Sequence, residues 1–245
     1  MGDYDFNDLV VDYKYTYYTN ASNDLAELKI EYNLRAIGAS MHNGFGVQFD
    51  VAPGVVKSVS GAKYTESYIS VGSNGTENNQ SKATFIVFDD AHKQLQRSPN
   101  SIYANTDNPN ELVNPVMFTL NVKFNSGVKQ TALGKAPYNC FLIANGQRGR
   151  EVYMVDQPGT DLVDLQLYGT ASDKSNPDIK RYYQNKDNMP WVLHTPQSLV
   201  YPMEKVNIME GYPYFKMWAE SEGRTYNDWY EDKPGYRKTQ NLFKP

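Results

Sequence analysis

The sequence predicts a mainly β chain: an antiparallel β-sandwich, jelly-roll-like, with a short C-terminal helix and an irregular tail. Three observations carry this. Long segments alternate apolar and polar residues with a period of two, no helical pattern separates them, and tyrosine is in excess, 20 Tyr against 10 Phe in 245 residues. Alternation marks half-buried strands, and the missing helices exclude a βαβ sheet. Tyrosine suits a sandwich because its ring packs on a pleated surface while its hydroxyl reaches water.

Val11, Tyr13, Tyr15 and Tyr17 alternate with Asp12, Lys14 and Thr16 and read as the first strand. Ala26, Leu28, Ile30, Tyr32, Leu34 and Ala36 alternate with Glu27, Lys29, Glu31, Asn33 and Arg35 as the second. A helix is the rival there, but its stripe would collect only Leu25, Leu28, Tyr32 and Ala36. Shorter strands are expected at Val47–Val51, Val55–Ser58, Tyr68–Val71 and Ala83–Phe88, with Gly44 and Gly46 forming a turn or bulge at the entry to the first of these. Val116, Phe118, Leu120 and Val122 make another, followed by Asn139–Ile143 and Glu151–Met154. Two polar stretches, 72–82 and 97–115, read as surface loops; the second is long enough to be a binding loop or a mobile excursion. After about residue 200 the texture changes. Pro213 near a helix start, Gly223 past its end and a Phe215, Trp218, Ala219 stripe predict a helix docked on the sandwich. The expected organisation is a sandwich over 1–200 and a packed appendage over 201–245.

With 24 basic and 28 acidic side chains the net charge is −4, which argues against nucleic-acid binding. No apolar run approaches the roughly 18 residues of a membrane span. A single cysteine, Cys140, excludes an internal disulfide framework and a cysteine-based zinc site. His42, His92 and His194 are too far apart for a compact histidine-ligand motif. An acidic motif follows Met1-Gly2 directly, without the charged and apolar regions of a leader. That reads as the mature or excised part of a longer chain.

The motif is Asp3-x-Asp5-x-Asn7-Asp8. Carboxylates this close repel one another unless solvent or a cation lies among them. Calcium takes six to eight hard oxygens, which alternating Asp and Asn in a tight loop can supply. An EF-hand is excluded, because Asp8 occupies the glycine position and Lys14 the position of the bidentate glutamate. A calcium site would therefore borrow a distant carboxylate, for which Asp89 and Asp90 are candidates. The competing reading is a set of Asx turns capping the first strand. No catalytic residue is assigned: Gly-x-Ser-x-Gly, His-Glu-x-x-His and the phosphate-binding P-loop pattern are all absent. A glycosidase would need only a pair of carboxylates, and Asp89-Asp90, the most suggestive one, would point to opposite faces of a strand. Arg148 and Arg150 offer an anion site or a local pair with Glu151. Trp191 offers a sugar-stacking surface or a plug for the end of the sandwich.

Gly2-Asp3-Tyr4-Asp5-Phe6-Asn7-Asp8-Leu9-Val10-Val11-Asp12-Tyr13 resembles the opening signature of the LruC domain family of bacterial surface and secreted proteins. Further matches follow in order: Arg35–Ala39, Asn43–Gly46, Ala83–Asp89, Arg148–Val152, Met189–Trp191, Tyr201–Lys205 and the Trp218…Tyr230 tail. The resemblance implies a cell-envelope or extracellular location and a calcium-binding role for Asp3, Asp5, Asn7 and Asp8. It implies no established reaction. The expected function is a non-catalytic module binding a glycan or protein partner; a polysaccharide hydrolase and a structural subunit of the envelope are the alternatives.

Overall fold

The computed structural model describes residues 3–244; Met1, Gly2 and Pro245, and with them the first residue of the N-terminal signature and the outer ends of the expected division, lie outside the described residues. Eight strands form two four-stranded antiparallel sheets. They are β1 (Val10–Thr19), β2 (Leu25–Ala36), β3 (Gly44–Phe49), β4 (Val56–Ser60), β5 (Ala83–Phe88), β6 (Val116–Phe124), β7 (Asn139–Ile143) and β8 (Glu151–Tyr153). One sheet runs β1-β2-β6-β4 and the other β5-β3-β7-β8. Every connection but the first and last crosses from one sheet to the other.

The β1–β2 turn is set by Asn20, whose Oδ1 accepts from the amides of Ser22 and Asp24, each at 2.9 Å. This fixes the register that pairs Tyr13 with Tyr32 and Tyr17 with Leu28. On β2 the alternation holds as read: Leu28, Ile30, Tyr32 and Leu34 are fully buried against Val47, Phe49, Phe85, Phe118 and Leu120. In β5 every side chain is buried, so its run of apolar residues shows no alternation. The glycines before Val47 lie inside β3, with a bulge between Phe45 and Gly46. A Cβ on Gly46 would stand 2.5 Å from Cζ of the buried Phe141.

Two expectations are corrected. Tyr68–Val71 forms no strand: Ser70 O accepts from Asn78 N and Gly72 N donates to Thr76 O, so a local turn satisfies this backbone. The 97–115 loop is pinned by the Ile37–Ala104 bridge, by Asn105 bonding Arg35 O and both backbone groups of Val113, and by Tyr201 Oη donating to Asn105 O at 2.8 Å.

Three short helices follow. The helix α1 (Ala91–Gln94) starts at Asp90, whose side chain accepts from His92 N. Beyond residue 200 come α2 (Ile208–Gly211) and α3 (Phe215–Glu220). The predicted stripe is present, with Phe215 and Ala219 buried and Trp218 half-buried, and Gly223 N closes the helix end on Trp218 O at 2.9 Å. These residues form a second core with Ile208, Tyr212, Trp229 and Leu242, against which Tyr4 and Phe6 pack. The two ends of the chain therefore share one apolar cluster. Replacing Gly46 by Ala forces the Phe141 ring out of place, and urea unfolding is expected to show a loss of about 1–3 kcal/mol.

Candidate metal centre

Residues 3–9 enter β1 as a strap lying across the 202–208 turn. Ile208 N donates to Tyr4 O at 2.7 Å, Lys205 N to Asp5 Oδ2 at 2.9 Å and Asn7 Nδ2 to Pro202 O at 3.1 Å. Gly38 N donates to Asn7 O at 2.9 Å, and Glu204 N to Thr106 O at 3.0 Å. The loop after α1 thus supports the turn from behind. Tyr4 and Phe6 take left-handed backbone, φ 61° and 54°, an uncommon state for aromatic residues. Their rings anchor it: Tyr4 stacks on Trp191 at 5.7 Å, and Phe6 meets the edge of Phe215 at the same distance.

This strap and turn bring Asp3, Asp5 and Glu204 together, with one carboxylate oxygen from each within 4.8 Å of the others. Asp5 is 3% exposed and Asn7 fully buried. Asn7 Oδ1 and Glu204 Oε2 are both buried without a hydrogen-bond partner. Both lie beside Gly38. A Cβ on Gly38 would meet Asn7 Oδ1 at 2.0 Å and Glu204 Oε2 at 2.8 Å, so the two oxygens are separated by no more than about twice a calcium–oxygen bond of 2.3–2.6 Å. Glycine at 38 leaves the room both oxygens occupy.

Among the described residues no Lys, Arg or His forms an ion pair with Asp3, Asp5, Asp8 or Glu204. Burial and then the charges of Asp5, Asp3 and Asp8 push Glu204 up to about 7. Burial, with the charges of Asp3 and Asp8 beside it, pushes Asp5 up to about 6 although Lys205 N–H opposes the shift. The donor set is all oxygen, four side chains with no nitrogen or sulfur, which suits hard cations rather than zinc or copper. The Asx-turn reading has one contact here, Asn7 N to Asp5 Oδ1 at 3.5 Å, too long to be a good hydrogen bond.

Of the residues singled out in the sequence, Asp3, Asp5 and Asn7 meet. Asp8 lies exposed at the rim of a neighbouring cleft. Asp89 and Asp90 are elsewhere, and their oxygens are engaged. Asp89 accepts from Thr65 N, Thr65 Oγ1 and Glu66 N; Asp90 caps α1 and pairs with His42 Nδ1 at 2.8 Å. The distant carboxylate is Glu204. No spacing rule reaches it, and its one signal was membership of the Tyr201–Lys205 match. Arg148 does not offer an anion site: it is held between the buried Glu77 and Glu151. Arg150 is exposed, and Trp191 is half-buried with Nε1 donating to Asp173 Oδ1 at 2.9 Å.

The cleft on the outer side of the strap has a volume of about 530 Å³ and is lined by Asp3, Tyr4, Asp8, Arg150, Tyr168 and Trp191, among others. Among the described residues no helix is long and apolar enough to cross a membrane.

A two-sheet β domain with an all-oxygen acidic cluster at the meeting of its chain ends is the class that this fold and site define. The chain belongs to the family described as a domain of unknown function, DUF4842, whose model matches residues 23–230. Gly38 and Glu204 lie inside that segment, and Asp3, Asp5 and Asn7 precede it. The fold is similar to that of a putative lipoprotein from Bacteroides ovatus, with a TM-score of 0.71 and 17% identity over 99% of this chain and 71% of that one. No curated protein matches significantly.

The pH dependence without metal follows from the raised carboxyls. Glu204 and Asp5 sit above their unfolded values of about 4.5 and 3.8, so the folded protein holds more protons between roughly pH 4 and 7 and stability falls as pH rises. In chelator, wild-type stability relative to Glu204→Gln is expected to be greatest near pH 4 and to decline through pH 7. Urea midpoints across that range test the sign; a wild type that gains on the variant with rising pH contradicts it.

Proposed function

We propose that the chain is a non-catalytic module of the bacterial cell envelope or exterior, an LruC-type domain whose N-terminal strap binds calcium and which recognises a glycan or protein partner. The observation that carries the calcium assignment is the pair of buried, partnerless oxygens beside Gly38, Asn7 Oδ1 and Glu204 Oε2, with the Asp3 and Asp5 carboxylates close to Glu204. A buried polar atom without a partner costs about 1–3 kcal/mol, and one ion bridging both would remove that cost and the repulsion together. Asp3, Asp5, Asn7 and Glu204 would hold the ion; solvent would complete a shell of six to eight oxygens. When bound, it would tie residues 3–7 to the 202–208 turn. The envelope location is supported by the ordered motif resemblance and by the fold shared with the Bacteroides ovatus protein.

Glu204, raised beside Asp5, would also suit acid–base chemistry. It does not line the cleft, however, while Asp5 does, so the arrangement favours binding over turnover.

Calcium is expected to raise the melting temperature, with about 1.4 kcal/mol gained at ten times Kd, and chelator to reverse the gain. Asp5→Asn and Glu204→Gln should abolish the response. Gly38→Ala should do the same, since its Cβ takes the place of Asn7 Oδ1. A melt indifferent to calcium and chelator overturns the assignment.

A further inference from the structure

We propose that the cleft beside the strap binds a neutral oligosaccharide, against a wall of Tyr4, Trp191 and Tyr168 and with Asp8 accepting its hydroxyls; this rests on the glycan branch of the function proposed above. The volume, about 530 Å³, falls within the 300–1,000 Å³ range of small-ligand sites. Its aromatic rings are fixed at their polar ends. Trp191 Nε1 is held by Asp173 at 2.9 Å, Tyr4 Oη accepts from Asn185 Nδ2 at 3.0 Å, and Tyr168 Oη accepts from Gly159 N at 3.1 Å. Tyr4 and Trp191 are stacked with 17° between their planes, so each steadies the orientation of the other. Rings held this way lose little freedom on binding, and their flat apolar surfaces match the C–H face of a pyranose.

The polar groups facing the cleft are of the complementary kind. Asp8 is exposed, and among the described residues its carboxylate takes no hydrogen bond and no ion pair, unlike Asp173, which is saturated by Gly169, Ser175 and Trp191. A free carboxylate accepts two hydroxyls strongly. Arg150, exposed on the same cleft, supplies donors and disfavours a cationic peptide. Asp3, Asp5 and Asp8 disfavour an anionic sugar. A ligand with neutral hydroxyls and an apolar face satisfies all of these at once.

The test is titration of calcium-loaded protein with maltotriose, cellotriose, laminaritriose and mannotriose, followed by calorimetry and saturation-transfer NMR. At least one sugar is expected to bind. Trp191→Ala and, independently, Asp8→Asn should each weaken it by about tenfold or more. Asp8→Asn is a near-isosteric change at an exposed site, so it keeps the test open if Trp191→Ala fails to fold. A calcium-responsive wild type that binds none of the four, or binding unchanged in Asp8→Asn, would each overturn the cleft assignment and leave the calcium site intact. Sugar binding by a protein whose melt ignores calcium would have the opposite meaning: the cleft stands and the metal centre falls.

Discussion

Repulsion among oxygens at the joint between the chain's two ends is the constraint on which the rest of this structure turns. Residues 3–7 are held to the 202–208 turn by the amides of Ile208 and Lys205, and to the residues after β2 by the amide of Gly38. The same closure brings Asp3, Asp5 and Glu204 to within 4.8 Å and buries Asn7 Oδ1 and Glu204 Oε2 without hydrogen-bond partners. Each hydrogen bond contributes about 1 kcal/mol, and the carboxylates oppose them. A proton at low pH, or a cation at neutral pH, would relieve that repulsion. Burial and the neighbouring carboxylates raise Glu204 and Asp5 together.

The sandwich supplies the geometry. The β1–β2 hairpin places residues 3–9 beside the end of β2, and Ile37 pairs with Ala104 so that Gly38 and Thr106 reach the joint from two directions. The aromatic anchors then couple three regions. Phe6 belongs to the C-terminal core, Tyr4 leans on Trp191, and Trp191 is fixed by Asp173. A cation at the joint would therefore stiffen one wall of the cleft as well as the strap, because Tyr4 is adjacent to two of the acidic residues.

Most of the sandwich was legible in the sequence, because a period of two records which face meets the core. Ala83–Phe88 and Asn139–Ile143 were readable from composition and flanks, and Leu28 to Leu34 from alternation. Tyr68–Val71 misled because its apolar residues serve a turn, with Tyr68 Oη donating to Asp89 O at 2.5 Å. The acidic motif announced itself by charge density. Its fourth member did not, since Glu204 is brought to it by tertiary closure alone. Asp89 and Asp90 looked available because sequence shows acids but not the amides of Thr65, Glu66 and His92 that engage them. Gly38 was equally silent: its role is the absence of a side chain beside Asn7, which no local pattern records.

A cation shared at neutral pH by the buried oxygens of Asn7 and Glu204, in place of a proton, is what the proposed calcium site requires. A crystal structure at pH 8 with calcium present, with anomalous differences to identify the ion, tests it most directly. An anomalous peak is expected about 2.3–2.6 Å from Asn7 Oδ1 and from the Asp3, Asp5 and Glu204 carboxylates. An ordered joint with no such peak, in which Glu204 Oε2 hydrogen-bonds directly to Asn7 Oδ1, would contradict it.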